Sequence, residues 1–147
     1  MLIGQAAIKA LIPHAGDMCL LAGVTQWDAT HITCIAQSHR SATNPLARDG
    51  KLHALCGVEY AAQAMAVHGG LTGLVGQRPR VGLLVSVRDV VALVKYLSDF
   101  EEDMQIEAEQ LMAGASGVAY RFTLHIGEIE LLRGRATVVL DAAGVGS

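Results

Sequence analysis

A chain of 147 residues is long enough for one hydrophobic core, and 52% hydrophobic against 17% charged residues is more apolar than an average soluble domain. A formal charge of -3 argues against a nucleic-acid-binding protein and against a polybasic membrane surface. We therefore expect a single domain, residues 1–147, with a small molecule or another protein as its partner and with some apolar surface left to be covered by that partner.

Cysteines and hydrophobic runs indicate the compartment. Cys19, Cys34 and Cys56 show none of the paired short spacings of zinc or redox motifs, which is typical of reduced cysteines in a cytoplasmic protein. The amino terminus lacks a basic leader and a small-residue cleavage site, so we expect no export signal. The segment 52–77 is long enough to span a membrane, but it contains Glu59 and two histidines, and we expect no membrane helix.

The first part of the chain predicts short elements. A helix over 3–11 is ended by Pro13, because the residue before a proline is pushed towards extended geometry. A turn at 14–17 then leads to two strands and a loop. These are predicted over 18–27, 31–38 and 38–50.

One long helix is predicted over 52 to about 68. The segment is rich in alanine, has no proline, and places Cys56, Glu59 and Gln63 at helical spacing. Glycines from Gly69 onwards are expected to end it. Because the surroundings of this helix are apolar on nearly every side, we expect other elements to cover it.

The rest of the chain alternates as half-buried strands do. Strands are predicted over 80–93, 104–109, 118–126 and 132–140. An antiparallel sheet of about five to six strands curled around the long helix satisfies this order, since the apolar faces of sheet and helix bury each other. The predicted fold class is α+β.

Glu59 is the candidate for chemistry, because it is the only carboxylate in the apolar stretch 52–77. An acid buried there either has a partner or keeps its proton. Gly57 leaves backbone amides accessible near the helix start, where they can hold a developing negative charge. Glu59 could instead cap the helix or pair with an arginine, and Gln63 could bond the Glu59 carboxyl or simply be exposed.

Six histidines offer a base. His31 and His125 are expected to be solvated on strands, and His68 to favour the dipole at the carboxyl end of the helix. This leaves three histidines, His14, His39 and His53, among which His14 lies in a turn after a proline. No phosphate loop, nucleophile elbow or metal-spaced His/Cys cluster is present in the sequence, so acid/base chemistry is expected, with no metal.

These residues give the chain a resemblance to a known family. It resembles the hot-dog-fold 3-hydroxyacyl-acyl-carrier-protein dehydratases of fatty acid synthesis, and more closely the dehydratase-like proteins of bacterial aryl polyene gene clusters. The similarity covers nearly the whole chain and rests on three segments: LIPHAGDMCLL, GVEYAAQAMA and GRATVVL.

The resemblance implies a site. Glu59 matches the catalytic acid of the family and Gln63 its supporting glutamine, while the common His-Phe-x-Gly loop is replaced around Asn44. The base is then His14, or second His53, or else activity is reduced or lost. Three residues would contact the substrate: Asn44, Cys56 and Gly57.

The resemblance also implies loss of water from a 3-hydroxyacyl thioester, in which histidine removes the C2 proton and Glu59 protonates the leaving hydroxyl. No cofactor is expected, because the substrate is carried on the phosphopantetheine of an acyl carrier protein. That acidic carrier would meet a basic rim formed by Arg40, Arg48, Arg78 and Arg80. A homodimer, or a heteromer with another hot-dog protein, is implied. The alternatives are a hot-dog thioesterase and a non-catalytic partner subunit.

Overall fold

The computed structural model describes residues 2–11, 18–72, 82–114 and 117–140. Within these ranges the chain forms seven strands and two α-helices, along with short 3-10 turns. In chain order they are β1 (Ile3–Gly4), α1 (Gln5–Leu11), β2 (Gly23–Trp27), β3 (His31–Ala36), α2 (Gly57–Thr72), β4 (Gly82–Ala92), β5 (Met104–Ala113), β6 (Gly117–Ile126) and β7 (Ile129–Leu140).

The described strands form one antiparallel sheet in the order β1-β2-β3-β5-β6-β7-β4. The predicted α+β hot-dog arrangement is confirmed, with one strand more than the five to six expected. That strand is β1, where Ile3 and Gly4 pair with Val24 and Gly23. The first helix therefore begins at Gln5, two residues later than predicted, because the backbone at its predicted start pairs with the sheet edge.

The central helix α2 starts and ends later than the sequence suggests. A 3-10 turn, Ala54–Cys56, precedes it, and the helix continues through Gly69 and Gly70 to Thr72. A Cβ on Gly70 would lie 3.3 Å from Leu11 Cδ2, so this glycine lets α1 approach α2 closely. Packing between the two helices thus outweighs the weak helix propensity of a glycine pair.

The sheet has an apolar inner face and a charged outer face. Ile106 and Ala108 of β5 are fully buried, whereas Glu107 and Glu109 between and after them face outwards. The same alternation continues along β6 and β7. The core between sheet and helix includes Tyr60, Met65, Phe122, Leu124 and Leu132. As the alternation predicted, opposite charges meet across neighbouring strands on the outer face.

In the part of the chain that the structure describes, no helix combines the length and the hydropathy that a bilayer crossing requires. Within the segment 52–77, the described residues 57–72 form a helix that packs against the sheet.

Candidate active site

The start of α2 is pressed against the sheet. Gly57 is its first residue, and a Cβ there would come within 2.7 Å of Cδ2 of both Leu124 and Leu132. The Gly57 amide donates to the Ala54 and Leu55 carbonyls of the preceding turn. Glycine is thus required for close packing, and its predicted contact with substrate stays a prediction.

Glu59 lies in the first turn of α2 and is half-buried. It belongs to a stripe along the helix whose members remain partly exposed, while the other residues from Gly57 to Leu71 are buried. The stripe consists of Val58, Glu59, Ala62, Ala66 and Gly69. The helix is therefore covered on most sides, as predicted, and the carboxylate lies where α2 reaches the surface of this chain.

Gln63 is completely buried, and its amide holds the segment that follows the amino-terminal turn. Its Oε1 accepts from the Leu20 amide at 2.9 Å, and its Nε2 donates to the Met18 carbonyl at 2.6 Å. An exposed glutamine, one alternative from the sequence, is therefore wrong. Gln63 fixes residues 18–20 against α2, one turn after Glu59.

Tyr60 continues this polar network towards the loop before α2. Ser38 Oγ donates to the Leu20 carbonyl at 2.8 Å, so the Tyr60 hydroxyl donates to Ser38 Oγ at 2.7 Å. Asn44 Nδ2 donates to the same Tyr60 hydroxyl at 3.0 Å. Burial raises the pKa of Tyr60 to about 12, so this hydroxyl stays neutral and acts only through its hydrogen bonds.

Asn44 is buried and shapes the loop that the resemblance places at the site. Its Nδ2 also donates to the Ser38 carbonyl at 2.8 Å, and its Oδ1 accepts from the Leu46 amide at 2.8 Å. The partly buried Cys56 directs its Sγ to the Leu46 carbonyl, 3.9 Å away. Both side chains tie the loop to itself and to α2, and their contact with substrate stays a prediction.

A cavity of about 470 Å³ opens beside this network. Its wall is formed by α1, by the segment that Gln63 holds and by the loop that Asn44 shapes. The lining residues are Gln5, Lys9, Cys19, Leu20, Ala22, Gln37, Ser38, Ser41, Thr43, Asn44 and Pro45. Asn44 is thus the one predicted substrate-contacting residue that lines this cavity among the described residues.

The two histidines predicted as bases differ in what can be described. His14 lies outside the described residues. His53 is exposed, and its Nδ1 accepts from the Leu55 amide at 3.1 Å, which caps the 3-10 turn before α2. Its ring also lies edge-on to Tyr96, with ring centroids 6.0 Å apart. His53 therefore has a structural task at the entrance to the helix.

His39 is 1% exposed, and neither of its ring nitrogens has a hydrogen-bond partner among the described residues. Burial lowers the pKa of His39, and the nearby backbone of Glu102 opposes this fall. His39 is therefore held as a neutral imidazole inside the fold, in the 3-10 turn Ser38–Arg40.

His68 does not serve as a cation for the helix dipole, so that prediction was wrong. It is buried, and its Nε2 donates to the Asp28 carbonyl at 2.9 Å. Nδ1 then accepts from the Tyr120 hydroxyl at 2.7 Å. Burial lowers the pKa of His68 and raises that of Tyr120 to about 12. A buried neutral imidazole thus links α2 to β6.

His31 and His125 were expected to be solvated, but both are only partly exposed and both contact Glu107. His31 Nε2 lies 3.3 Å from Glu107 Oε1, and His125 Nε2 lies 2.6 Å from Oε2. His125 Nδ1 also faces the Gly127 carbonyl at 3.1 Å. This cluster belongs to the outer face of the sheet, across from α2.

The predicted basic rim is only partly described. Arg40 pairs with Asp103 at 3.2 Å and also donates to the Glu101 carbonyl, while Arg48 donates to carbonyls of its own loop. Arg78 and Arg80 lie outside the described residues. Between residues 2 and 140, the described side chains include no group of three His, Cys, Asp or Glu placed to hold a metal ion.

Comparison with known proteins identifies relatives of this fold. The profile of the ApeP-like family, described as ApeP dehydratase, matches residues 6–143. A chain of the dehydratase heterocomplex ApeI:P from Xenorhabdus doucetiae superposes with a TM-score of 0.82 at 20% identity, covering 93% of this chain and 92% of that one.

Thioesterases share the architecture at lower similarity. A variant of a thioesterase from Pseudomonas aeruginosa gives a TM-score of 0.69 at 14% identity over 96% of both chains. Zebra fish thioesterase superfamily member 2 gives 0.66 at 17% identity over 92% of this chain and 94% of that one. Among curated proteins no match was found. These structural similarities establish the hot-dog fold alone.

Proposed function

The chain belongs to the ApeP-like dehydratase family, and from this premise we propose that it dehydrates a 3-hydroxyacyl thioester to a trans-2-enoyl thioester. The observation that carries the proposal is Glu59, half-buried in the first turn of the helix that the sheet wraps. In a dehydration the departing hydroxyl must be protonated, because hydroxide is a poor leaving group and water is a good one. A carboxylic acid at this position supplies that proton.

Gln63 supports the proposed role of Glu59 as the acid indirectly, by ordering nearby segments. Its hydrogen bonds fix residues 18–20, and Tyr60 and Asn44 fix the loop on the other side. Both segments line the cavity of about 470 Å³. We infer that the acyl chain or its phosphopantetheine arm, delivered by an acyl carrier protein, occupies this cavity. Its walls are held by buried hydrogen bonds, which preorganise the site.

The base is proposed to be His14. Each described histidine already has another environment: two contact Glu107, His68 bonds Tyr120, His53 caps a turn and His39 is enclosed. In the sequence, His14 precedes the segment 18–20 that Gln63 holds. His14 would remove the C2 proton while Glu59 protonates the 3-hydroxyl, so that the elements of water leave the substrate.

A second hot-dog subunit is proposed to complete the site. The similar chain from Xenorhabdus doucetiae is part of a heterocomplex. In this chain the partly exposed stripe on α2 consists of small or apolar residues around Glu59, and such a surface favours burial by a partner. The 11-residue strand β4 also lies at the sheet edge, with β7 as its single described neighbour.

The test is turnover of a 3-hydroxyacyl-pantetheine thioester by the full chain, measured alone and together with a hot-dog protein from the same organism. Enoyl absorbance and free thiol are followed together. Glu59→Gln is expected to retain the fold and lose about 10²–10⁴-fold in rate, because the amide has nearly the same shape but donates no acidic proton. Glu128→Gln, in an exposed turn, is the matched control and keeps full activity.

The same assay separates the alternatives. Thiol release without enoyl formation would identify a thioesterase and reject dehydration. Enoyl formation that requires the partner and survives Glu59→Gln would make this chain a non-catalytic subunit. His14→Ala is expected to abolish turnover, whereas His53→Ala is expected to keep it. Equal turnover by the two variants would reject His14 as the base.

A further inference from the structure

Three arginines lie side by side across the outer face of the sheet. Arg88 of β4 is paired with Arg135 of β7, and Arg135 is paired with Arg121 of β6. Directly opposed positions place side chains on the same face with their Cβ atoms about 5 Å apart, where like charges repel. In a chain whose formal charge is -3, this is a local concentration of positive charge.

Neighbouring carboxylates neutralise this row only in part. Arg121 reaches Glu109 at 3.5 Å, and Arg133, two residues before Arg135 on β7, reaches Glu130 at 3.5 Å. Within the described residues neither Arg88 nor Arg135 forms an ion pair. The centre of the row is therefore a guanidinium between two others, an arrangement that costs stability unless an anion binds there.

A pocket of about 300 Å³ opens at this place, at the lower end of the size of ligand sites. Its lining residues are Asp89, Arg121, Thr123, Arg133, Gly134 and Arg135. Three arginines and one threonine thus line a single concave site. It lies on the opposite side of the sheet from α2 and is separate from Glu59.

Asp89 enters this pocket through a distortion of β4. A β-bulge lies between Arg88 and Val91, and Asp89 within it has a φ of 56°, in the left-handed region that a non-glycine residue seldom adopts. Bulges redirect side chains and are frequent beside binding sites. Asp89 lines the same pocket and forms no ion pair with a described residue, so its carboxylate can accept a hydrogen bond from a ligand there.

We propose that this pocket binds a phosphate ester that carries a hydroxyl group near the phosphate. The guanidinium forks of Arg121, Arg133 and Arg135 match phosphate oxygens in charge and in geometry. Asp89 accepts a hydrogen bond from the hydroxyl of the ligand, and its charge disfavours a bare anion. Two sources share this chemistry, the ribose phosphate of a nucleotide and a glycerol phosphate.

The test is calorimetric titration of the full chain with AMP, glycerol 3-phosphate and inorganic phosphate, at constant ionic strength in chloride. At least one ester is expected to bind roughly tenfold more tightly than inorganic phosphate. The tighter ester identifies the source. Failure of both esters to bind would overturn the proposal.

Variants locate the site. Arg135→Gln is expected to weaken ester binding roughly tenfold, whereas Lys95→Gln, at an exposed position after β4, leaves it unchanged. Equal weakening by both would reduce the effect to overall charge and overturn the proposal. In phosphate-free buffer Arg135→Gln should also raise the melting temperature, because it removes the centre of the repulsive row. If that variant fails to fold, Arg121→Gln carries the same prediction for binding.

Asp89→Asn tests the hydroxyl contact. It is expected to strengthen binding of inorganic phosphate and to lower the preference for the ester over inorganic phosphate. A preference unchanged by this substitution would overturn the proposed contact with Asp89.

Discussion

The two halves of α2 both bury polar side chains, but they attach them to different parts of the molecule. Side chains of residues 57–63 bond to irregular segments: Gln63 to the backbone of residues 18–20, and Tyr60 to the side chains of Ser38 and Asn44 in a loop. In residues 64–72, His68 bonds to Tyr120 within the sheet and to the Asp28 carbonyl in a hairpin. The first half therefore positions loops around a cavity, whereas the second half fastens the helix to the sheet.

This difference separates local order from global stability. Loops held by buried hydrogen bonds can be loosened while the sheet stays folded, since regions open locally with different free energies. A helix that is bonded to the sheet cannot loosen in this way without affecting the sheet as well. Glu59 lies in the half that organises loops, which is where a site assembled from several segments needs rigid support.

The largest effect in this comparison is expected for Gln63→Leu. The change leaves the Leu20 amide and the Met18 carbonyl without their buried partner, which should cost about 2–4 kcal/mol in the free energy of unfolding. Amide hydrogen exchange should show the loss of protection concentrated in residues 18–22. Gln26→Leu, at an exposed position on β2, is the control and should change neither quantity. A uniform loss of protection across the sheet would contradict the division between the two halves.

Tyr120→Phe tests the second half and is expected to cost about 1–2 kcal/mol. It leaves His68 Nδ1 buried without its donor, while the ring keeps its packing. Here the loss of exchange protection should extend over α2 and β6 together, without a preference for the loops. Chemical denaturation gives the free energy, and a loss confined to residues 18–22 would contradict the assignment.

Two glycines at different positions of α2 sharpen the comparison. Gly57→Ala places a methyl group against Leu124 and Leu132 and should destabilise the protein by about 1–2 kcal/mol. Gly69→Ala meets nothing within 4 Å and should stabilise it by about 0.5–1 kcal/mol, because alanine is the better helix former. Thermal melts of the two variants check this prediction. If the melting temperature shifted in the same direction in both, close packing at Gly57 would not determine the effect of the substitution.

The smallest expected effect at neutral pH is that of the two buried histidines on the free energy of unfolding, and it grows as the pH is lowered. Burial lowers the pKa of both His39 and His68 below the ordinary value of 6.5, so the unfolded chain binds protons at a higher pH than the folded one. The free energy of unfolding should therefore fall as pH drops below about 6.5, and level off only below the folded pKa values. Chemical denaturation at pH 7.5 and 5.5 measures this difference in stability. The control is His53→Gln, which removes an exposed histidine and should leave the pH dependence unchanged. Constant stability over this range would show that the two imidazoles are not buried as neutral groups.

Much of the fold follows from local patterns. The alternation in β5 and β6 predicts which side chains face inwards, because every second residue of a strand lies on the same face. Alanine content and spacing likewise predict α2. The sequence also singles out Glu59, since a single carboxylate in an apolar segment is visible without any contacts.

What the sequence by itself determined is therefore the class of fold, the long helix and the candidate acid, all of which depend on periodicity and on the cost of burying charge. Only the tertiary structure decided that Gln63 holds residues 18–20, that His68 is a neutral core residue and that three arginines meet across β4, β7 and β6. These facts depend on how distant segments pack and on strand order and register, which bring together residues up to 52 positions apart, and no local pattern encodes such pairings.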